Sequence, residues 1–119
     1  MLLHTVNDQQ IAEIISDGIL LRTAQDALDV MMDPEVPAPK KLILHRHNIA
    51  ADFFDLHTGL AGDVLQKFVN YHAQLAIVGD FSGIESEAFQ ALMRESNRGT
   101  HVFFVESVEA AKEKLTEVH

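Results

Sequence analysis

The stretch Asn48–Gly83, NIAADFFDLHTGLAGDVLQKFVNYHAQLAIVGDFSG, decides how the chain is read. Within it Leu60, Ala61, Val64, Leu65, Phe68 and Val69 recur at helical spacing, with Asp63, Gln66, Lys67 and Asn70 opposite them. That pattern predicts an amphipathic helix from Gly59 to Tyr71. Leu75–Val78 is a short apolar run closed by Gly79-Asp80, as expected of a buried strand. A polar loop, helix, strand and second polar loop place residues 55–59 and 79–83 at one end of a sheet. That is where α/β proteins usually hold a ligand.

Working outward, Lys41–His45 (KLILH) and Val102–Val105 (VFFV) read as further buried strands, and Leu2–Val6 and Ile11–Ile15 as an opening hairpin turning at Asn7-Asp8. Thr23 is a candidate N-cap for a helix carrying Ala24, Ala27, Leu28, Met31 and Met32, with Asp26 completing a capping box. Asp33-Pro34 ends that helix, and Pro37 and Pro39 keep the connection extended. Ser86 to Asn97 forms a helix with Ala88, Phe89, Leu92 and Met93 on one side. Ser107 caps a last helix through Val108, Ala111, Leu115 and Val118. The predicted fold is α/β: an opening β-hairpin, then alternating helices and strands forming a mostly parallel four- to five-stranded sheet with helices packed against it. Residues 1–119 read as one domain.

Composition narrows the function classes. A net charge of −9 with nine scattered Lys and Arg opposes nucleic acid and anionic membrane surfaces. The absence of cysteine removes disulfides, thiolate metal sites and cysteine nucleophiles. MLLHTVND lacks a signal peptide's basic start and apolar core, so a cytoplasmic location is expected.

Several constellations carry two readings each. Thr58 either caps the helix that follows or offers a regulatory hydroxyl at its N-terminus. His45 and His47, with Asp52, Asp55 or His57, could ligate a divalent ion, but the spacing is common and they read as ordinary surface histidines. No metal or cofactor is assigned. Gly79-Asp80-Phe81-Ser82-Gly83 could present backbone amides to an anion, or be a turn with Phe81 tucked into the core. Ser82, His57 and Asp80 or Asp55 contain the residue types of a hydrolytic set without a nucleophile elbow, and an enzyme is not expected. Phe53-Phe54 either leaves one ring exposed, making Phe53 a partner or homodimer contact, or starts a helical turn in which both rings pack.

The strand KKLILH, the turn HTGL at His57–Leu60, the helix through Tyr71, the strand LAIVGD and the ending VFFVESVEAAKEKL together resemble the STAS domain of bacterial anti-sigma-factor antagonists. FFDLHTGLAGDVLQKFVNY with LAIVGDFS also resembles a bacterial family known only as a domain of unknown function. The STAS resemblance implies a non-catalytic regulatory module that binds a protein partner. It would do so through His57–Gly62 and the outer helix face of Asp63, Gln66, Lys67 and Asn70. Thr58 stands at the phosphorylated hydroxyl position, before Gly59, with Asp55 nearby; His57 replaces the family's other serine. The alternative is a small-ligand site, for an anion, nucleotide or metal, on the rim formed by the 55–59 and 79–83 loops.

Overall fold

The computed structural model describes residues 1–117; Val118, assigned above to the last helix, lies outside the described residues. Five strands, β1 (Leu2–Val6), β2 (Gln9–Glu13), β3 (Lys41–His45), β4 (Gln74–Val78) and β5 (Val102–Val105), lie side by side in chain order. β1 runs antiparallel to β2, and β2 through β5 are parallel. The helices are α1 (Ala24–Met31), α2 (Leu60–Asn70), α3 (Glu87–Arg98) and α4 (Val108–Thr116).

Each parallel step moves the same way across the sheet, so right-handed crossovers put α1, α2 and α3 on one face. The core agrees. Leu42, Leu44, Leu75, Ile77 and Phe104 pack with Ala27, Met31, Val64, Phe68 and Phe89 from those helices. The alternate residues Ile43, Ala76, Phe103 and Val105 face Ala111 and Leu115 of α4. Period-two alternation in β3–β5 therefore feeds two apolar layers, which is why these strands read as unbroken hydrophobic runs.

Local chemistry sets most element ends. Asn7 and Asp8 both hold positive φ, 52° and 64°, a two-residue turn that pairs Val6 directly with Gln9. The second strand consequently begins at Gln9 and ends at Glu13, two residues earlier than Ile11–Ile15. The Thr23 side chain accepts the Asp26 N–H at 3.1 Å while the Asp26 carboxylate accepts those of Thr23 and Arg22, a complete capping box. The Ser86 and Ser107 hydroxyls accept the Phe89 and Ala110 N–H groups and so cap α3 and α4, without the reciprocal bond of a capping box. Ile19–Arg22 joins neither helix nor strand; Leu21 instead forms an isolated bridge with Ile49. Val69 and Ala88, placed by spacing on apolar faces, are exposed, because α2 and α3 each bury a narrower stripe centred on Phe68 and Phe89.

On β5 the Asn97 side chain accepts the Phe104 N–H at 2.7 Å and donates to the Phe104 carbonyl at 3.1 Å, and Ser96 donates to the Val102 carbonyl. An amide side chain thus occupies the place of a sixth strand.

Candidate functional site

The site grows out of how β3 and β4 end. Beyond His45 the chain makes a tight turn over Arg46–Asn48, then further turns over Ala51–Phe54 and Leu56–Thr58 before α2 begins. Asn48 is fully buried and uses its whole amide. Its Oδ1 accepts the His45 N–H at 3.0 Å, and its Nδ2 donates to the carbonyls of Ser16 and Gly18 at 2.9 Å each. This ties the chain leaving β2 to the chain leaving β3 and fixes Ile19 beside the sheet.

Gly79 follows β4 and lies against Arg46. A Cβ built on Gly79 would sit 2.6 Å from the Arg46 Cβ, so only glycine lets the two strand ends approach this closely. The Arg46 side chain then reaches across. Its Nη1 donates to the Asp80 carbonyl, and its guanidinium lies 4.9 Å from the Phe54 ring centre and 5.5 Å from that of Phe81. Phe54 and Phe81 are themselves 6.2 Å apart, so the loops after β3 and β4 do converge on one rim.

A cleft of about 830 Å³ opens there, within the roughly 300–1,000 Å³ of small-ligand sites. Ile19, Ile49, Ala51, Phe54 and Val78 form its apolar walls, and His45, Arg46 and His47 supply its polar groups. Arg46 is the sole formally charged residue among the described residues that line it, in a chain of net charge −9.

Behind His45 lies the only buried carboxylate among the described residues. Glu13 receives His4 Nε2–H on Oε1 at 2.8 Å and His45 Nε2–H on Oε2 at 2.6 Å. A carboxylate only accepts, so both imidazoles present Nε2–H to it. Burial alone would raise the Glu13 carboxyl, but these two hydrogen bonds and the attraction of both rings outweigh it and hold the group below its ordinary value. The His45 ring also stacks on His47 at 5.6 Å, and His47 Nε2 bonds the Ser16 carbonyl at 2.8 Å. His45 is therefore a half-buried member of a polar network and not an ordinary surface histidine. Among the described residues no three His, Asp or Glu side chains come together as a metal site.

The residues expected to carry function divide. Asp55, His57, Thr58 and Gly59 form an exposed turn beyond the cleft and line none of it. Asp55 accepts the His57 backbone N–H at 3.0 Å and faces its ring at 3.2 Å. The Thr58 hydroxyl lies 2.7 Å from the Asp52 carbonyl and 2.9 Å from that of Asp55, and accepts the Leu60 N–H at 3.2 Å. Thr58 is not the N-cap of α2. Gly59 holds that position with φ 77°, a left-handed conformation in which threonine would be strained. Asp63, Gln66 and Asn70 are exposed on α2, with Lys67 half-buried. Hydrogen bonds from Ser82, with Arg46 nearby, hold the Asp80 carboxyl below its ordinary range. Among the described residues no hydrogen bond joins His57 to Ser82 or Asp80, so the hydrolytic set is not assembled.

Phe53 is not an exposed contact. Ala51–Phe54 forms a helical turn that sends its ring fully into the core, against Phe54, Phe89 and Phe104. Its candidacy as an interface residue is withdrawn. Arg46, Asn48, Phe54 and Glu13 are the site residues that sequence reasoning missed. The one signal available for them was the arginine of HRHN immediately after a buried strand.

Fold and cleft together define an α/β domain with a ligand-sized recess beyond the carboxyl ends of its parallel strands. A family model described as a domain of unknown function (DUF4180) matches residues 6–115, and the chain belongs to that family. No curated protein and no solved structure matches it. No helix among the described residues is long and apolar enough to cross a membrane.

Proposed function

We propose that this domain is a non-catalytic binding module of STAS-like layout that takes a small organic anion with an apolar body in the cleft between Ile19 and Phe54. One observation carries the reading: Arg46, His45 and His47 line an otherwise apolar recess with no acidic side chain among the described residues that line it, on a chain carrying nine excess negative charges. Arg46 spends one of its five N–H groups on Asp80 and lies against the Phe54 and Phe81 rings. It is pre-organised to pair with a carboxylate, sulfonate or phosphate. The apolar walls offer burial to the rest of the ligand. The site uses Gly79 and Asp80 of the second expected loop but replaces residues 55–59 of the first with 46–54.

Amide-resolved NMR titration with benzoate and benzenesulfonate, with benzyl alcohol as neutral control, tests this. The expected result is saturable shifts at residues 45–54 and 78–79 for both anions, abolished in Arg46→Gln. Shifts scattered over the surface, or equal for the alcohol, would overturn it.

A second reading, docking of a protein partner switched at Thr58, draws support from the exposure of Thr58 and of the outer face of α2. Phosphate there would gain from the N-terminus of α2 but would sit among Asp52, Asp55 and Asp63. Intact-mass analysis of the protein from its native cell checks it; Thr58 free of phosphate under all growth conditions would leave the cleft as the working face.

A further inference from the structure

We infer that β1 is the contact of a symmetric homodimer. The outer edge of Leu2–Val6 pairs antiparallel with the same strand of a second copy and joins the two sheets into one.

The hairpin register decides which backbone groups of β1 are spare. The two-residue turn makes Val6 and Gln9 a hydrogen-bonded pair, and alternation then makes His4–Ile11 and Leu2–Glu13 the others. On the far side of β2, Ile14 donates to the Ile43 carbonyl at 3.0 Å, as that alternation requires. The N–H and C=O groups of Leu3 and Thr5 therefore point away from the sheet. Among the described residues nothing bonds them, whereas on β5 the outer groups of Val102 and Phe104 are taken by Ser96 and Asn97. β1 also lacks the usual protections of an edge: it carries no charged side chain, no proline and no bulge. Met1, Leu2 and Leu3 instead form a run of exposed apolar side chains, Leu2 and Leu3 at 49% and 47%. Such a run is a fault on a folded surface unless it has a use.

Symmetry and charge specify a second copy as the occupant. The spare groups belong to the residues on either side of His4, the middle of the strand, so β1 is complementary to itself. Full antiparallel overlap about a two-fold axis at His4 sets Leu3 of each copy opposite Thr5 of the other. Each of these pairs exchanges both its N–H···O bonds. Leu2 meets Val6 of the other copy, apolar against apolar. His4 meets its counterpart while each ring stays on its own Glu13. The chain carries 18 acidic residues, none of them between Met1 and Asn7. A copy approaching with β1 therefore brings no carboxylate to the pairing residues. The two-fold axis turns the second sheet end for end, so the two clefts open at opposite ends of the joined sheet.

Sedimentation velocity on the full chain without an N-terminal extension, from ~10 μM to ~1 mM, covers the weak range expected of a short edge contact. The expected result is passage from monomer to dimer within that range, with amide exchange at Leu3 and Thr5 slowing as the dimer forms. Thr5→Pro removes an outward N–H that the hairpin does not use. Leu3→Glu puts acidic charge at an exposed position of the strand. Each change occurs twice in the dimer and should weaken it by about tenfold or more. Circular dichroism checks that both variants fold, and Leu3→Glu decides if the proline is not tolerated. Val69→Glu, at an exposed apolar position on α2, should leave the dimer unchanged. A monomer at the highest concentration overturns the inference. So does a dimer that Leu3→Glu leaves intact, that Val69→Glu disrupts instead, or whose Leu3 and Thr5 amides exchange as they do in the monomer.

Discussion

Replacing Gly79 with alanine puts the packing at the mouth of the cleft to the test. The added methyl would begin 2.6 Å from the Arg46 Cβ, with Cδ and Cγ at 3.4 and 3.5 Å behind it. Carbon atoms rest at about 3.5–4.0 Å, so the strand ends must part by about 1 Å. Neither end moves freely. The Gly79 N–H is bound to the Val105 carbonyl at 3.0 Å; Arg46 follows His45, whose backbone N–H is held by Asn48, and has its own guanidinium tied to Asp80. The atom struck is a Cβ, not the yielding tip of a long side chain. Forced overpacking of this kind costs about 1–3 kcal/mol. For a chain of this length that is a fall in Tm on the order of 10 °C. Gly62 supplies the control: it lies inside α2 with nothing within 4 Å of its would-be Cβ, so Gly62→Ala should stabilise by about 0.5–1 kcal/mol. Urea denaturation followed by circular dichroism reads both variants. A Gly79→Ala protein as stable as wild type would refute the close approach of the strand ends, and with it the placement of Arg46.

Other substitutions probe the remaining supports. Phe53→Ala should cost about 3–5 kcal/mol in the same urea assay, because its ring is fully buried among three others. A loss under 1 kcal/mol would restore it as a surface residue. Asn97→Ala should cost about 1–3 kcal/mol by leaving Phe104 N–H and C=O unpaired, and should expose the β5 edge. Size-exclusion chromatography would show new self-association, and a strictly unchanged elution would count against the edge-capping role. Glu13→Gln should lower stability by about 1–3 kcal/mol near neutrality. The Glu13 pKa is depressed from 4.5, so its contribution is complete above that value and is lost as pH falls through the lower folded one. The gap between wild type and Glu13→Gln should therefore narrow below about pH 4.5; a gap unchanged down to about pH 3 would contradict the depressed carboxyl.

What the residues announce in advance, and what they conceal, follows the range of the interactions. The capping box of Thr23 and Asp26, the serine caps and the stripe through Val64 and Phe68 act within a turn or two of helix. Spacing alone therefore reveals them. The Asn7-Asp8 turn was legible as a turn but not as a two-residue one, and that difference moved β2. Residues 49–59 carry no period because they make successive short turns, each closed by its own local hydrogen bonds. Phe53 and Phe54 therefore gave no sign of which ring goes inward.

The cleft was the least legible part, and its concealment bears on function. Glu13 meets His4 across a hairpin but His45 across 32 positions of chain, Asn48 reaches back 30 and 32 positions to Gly18 and Ser16, and Arg46 reaches forward 34 to Asp80. No window of sequence contains both ends of any of the longer ties. None of them is needed to explain the sheet either, since Leu42, Ile43, Leu44, Leu75, Ala76 and Ile77 would bury themselves without a carboxylate or an amide beside them. Burying a charge and an amide is costly unless every bond is made, and here every bond is made. Where a core spends polar groups that its packing does not require, the requirement comes from elsewhere. In this domain the excess converges on the recess beside Arg46, not on the exposed Thr58 turn that resemblance had singled out.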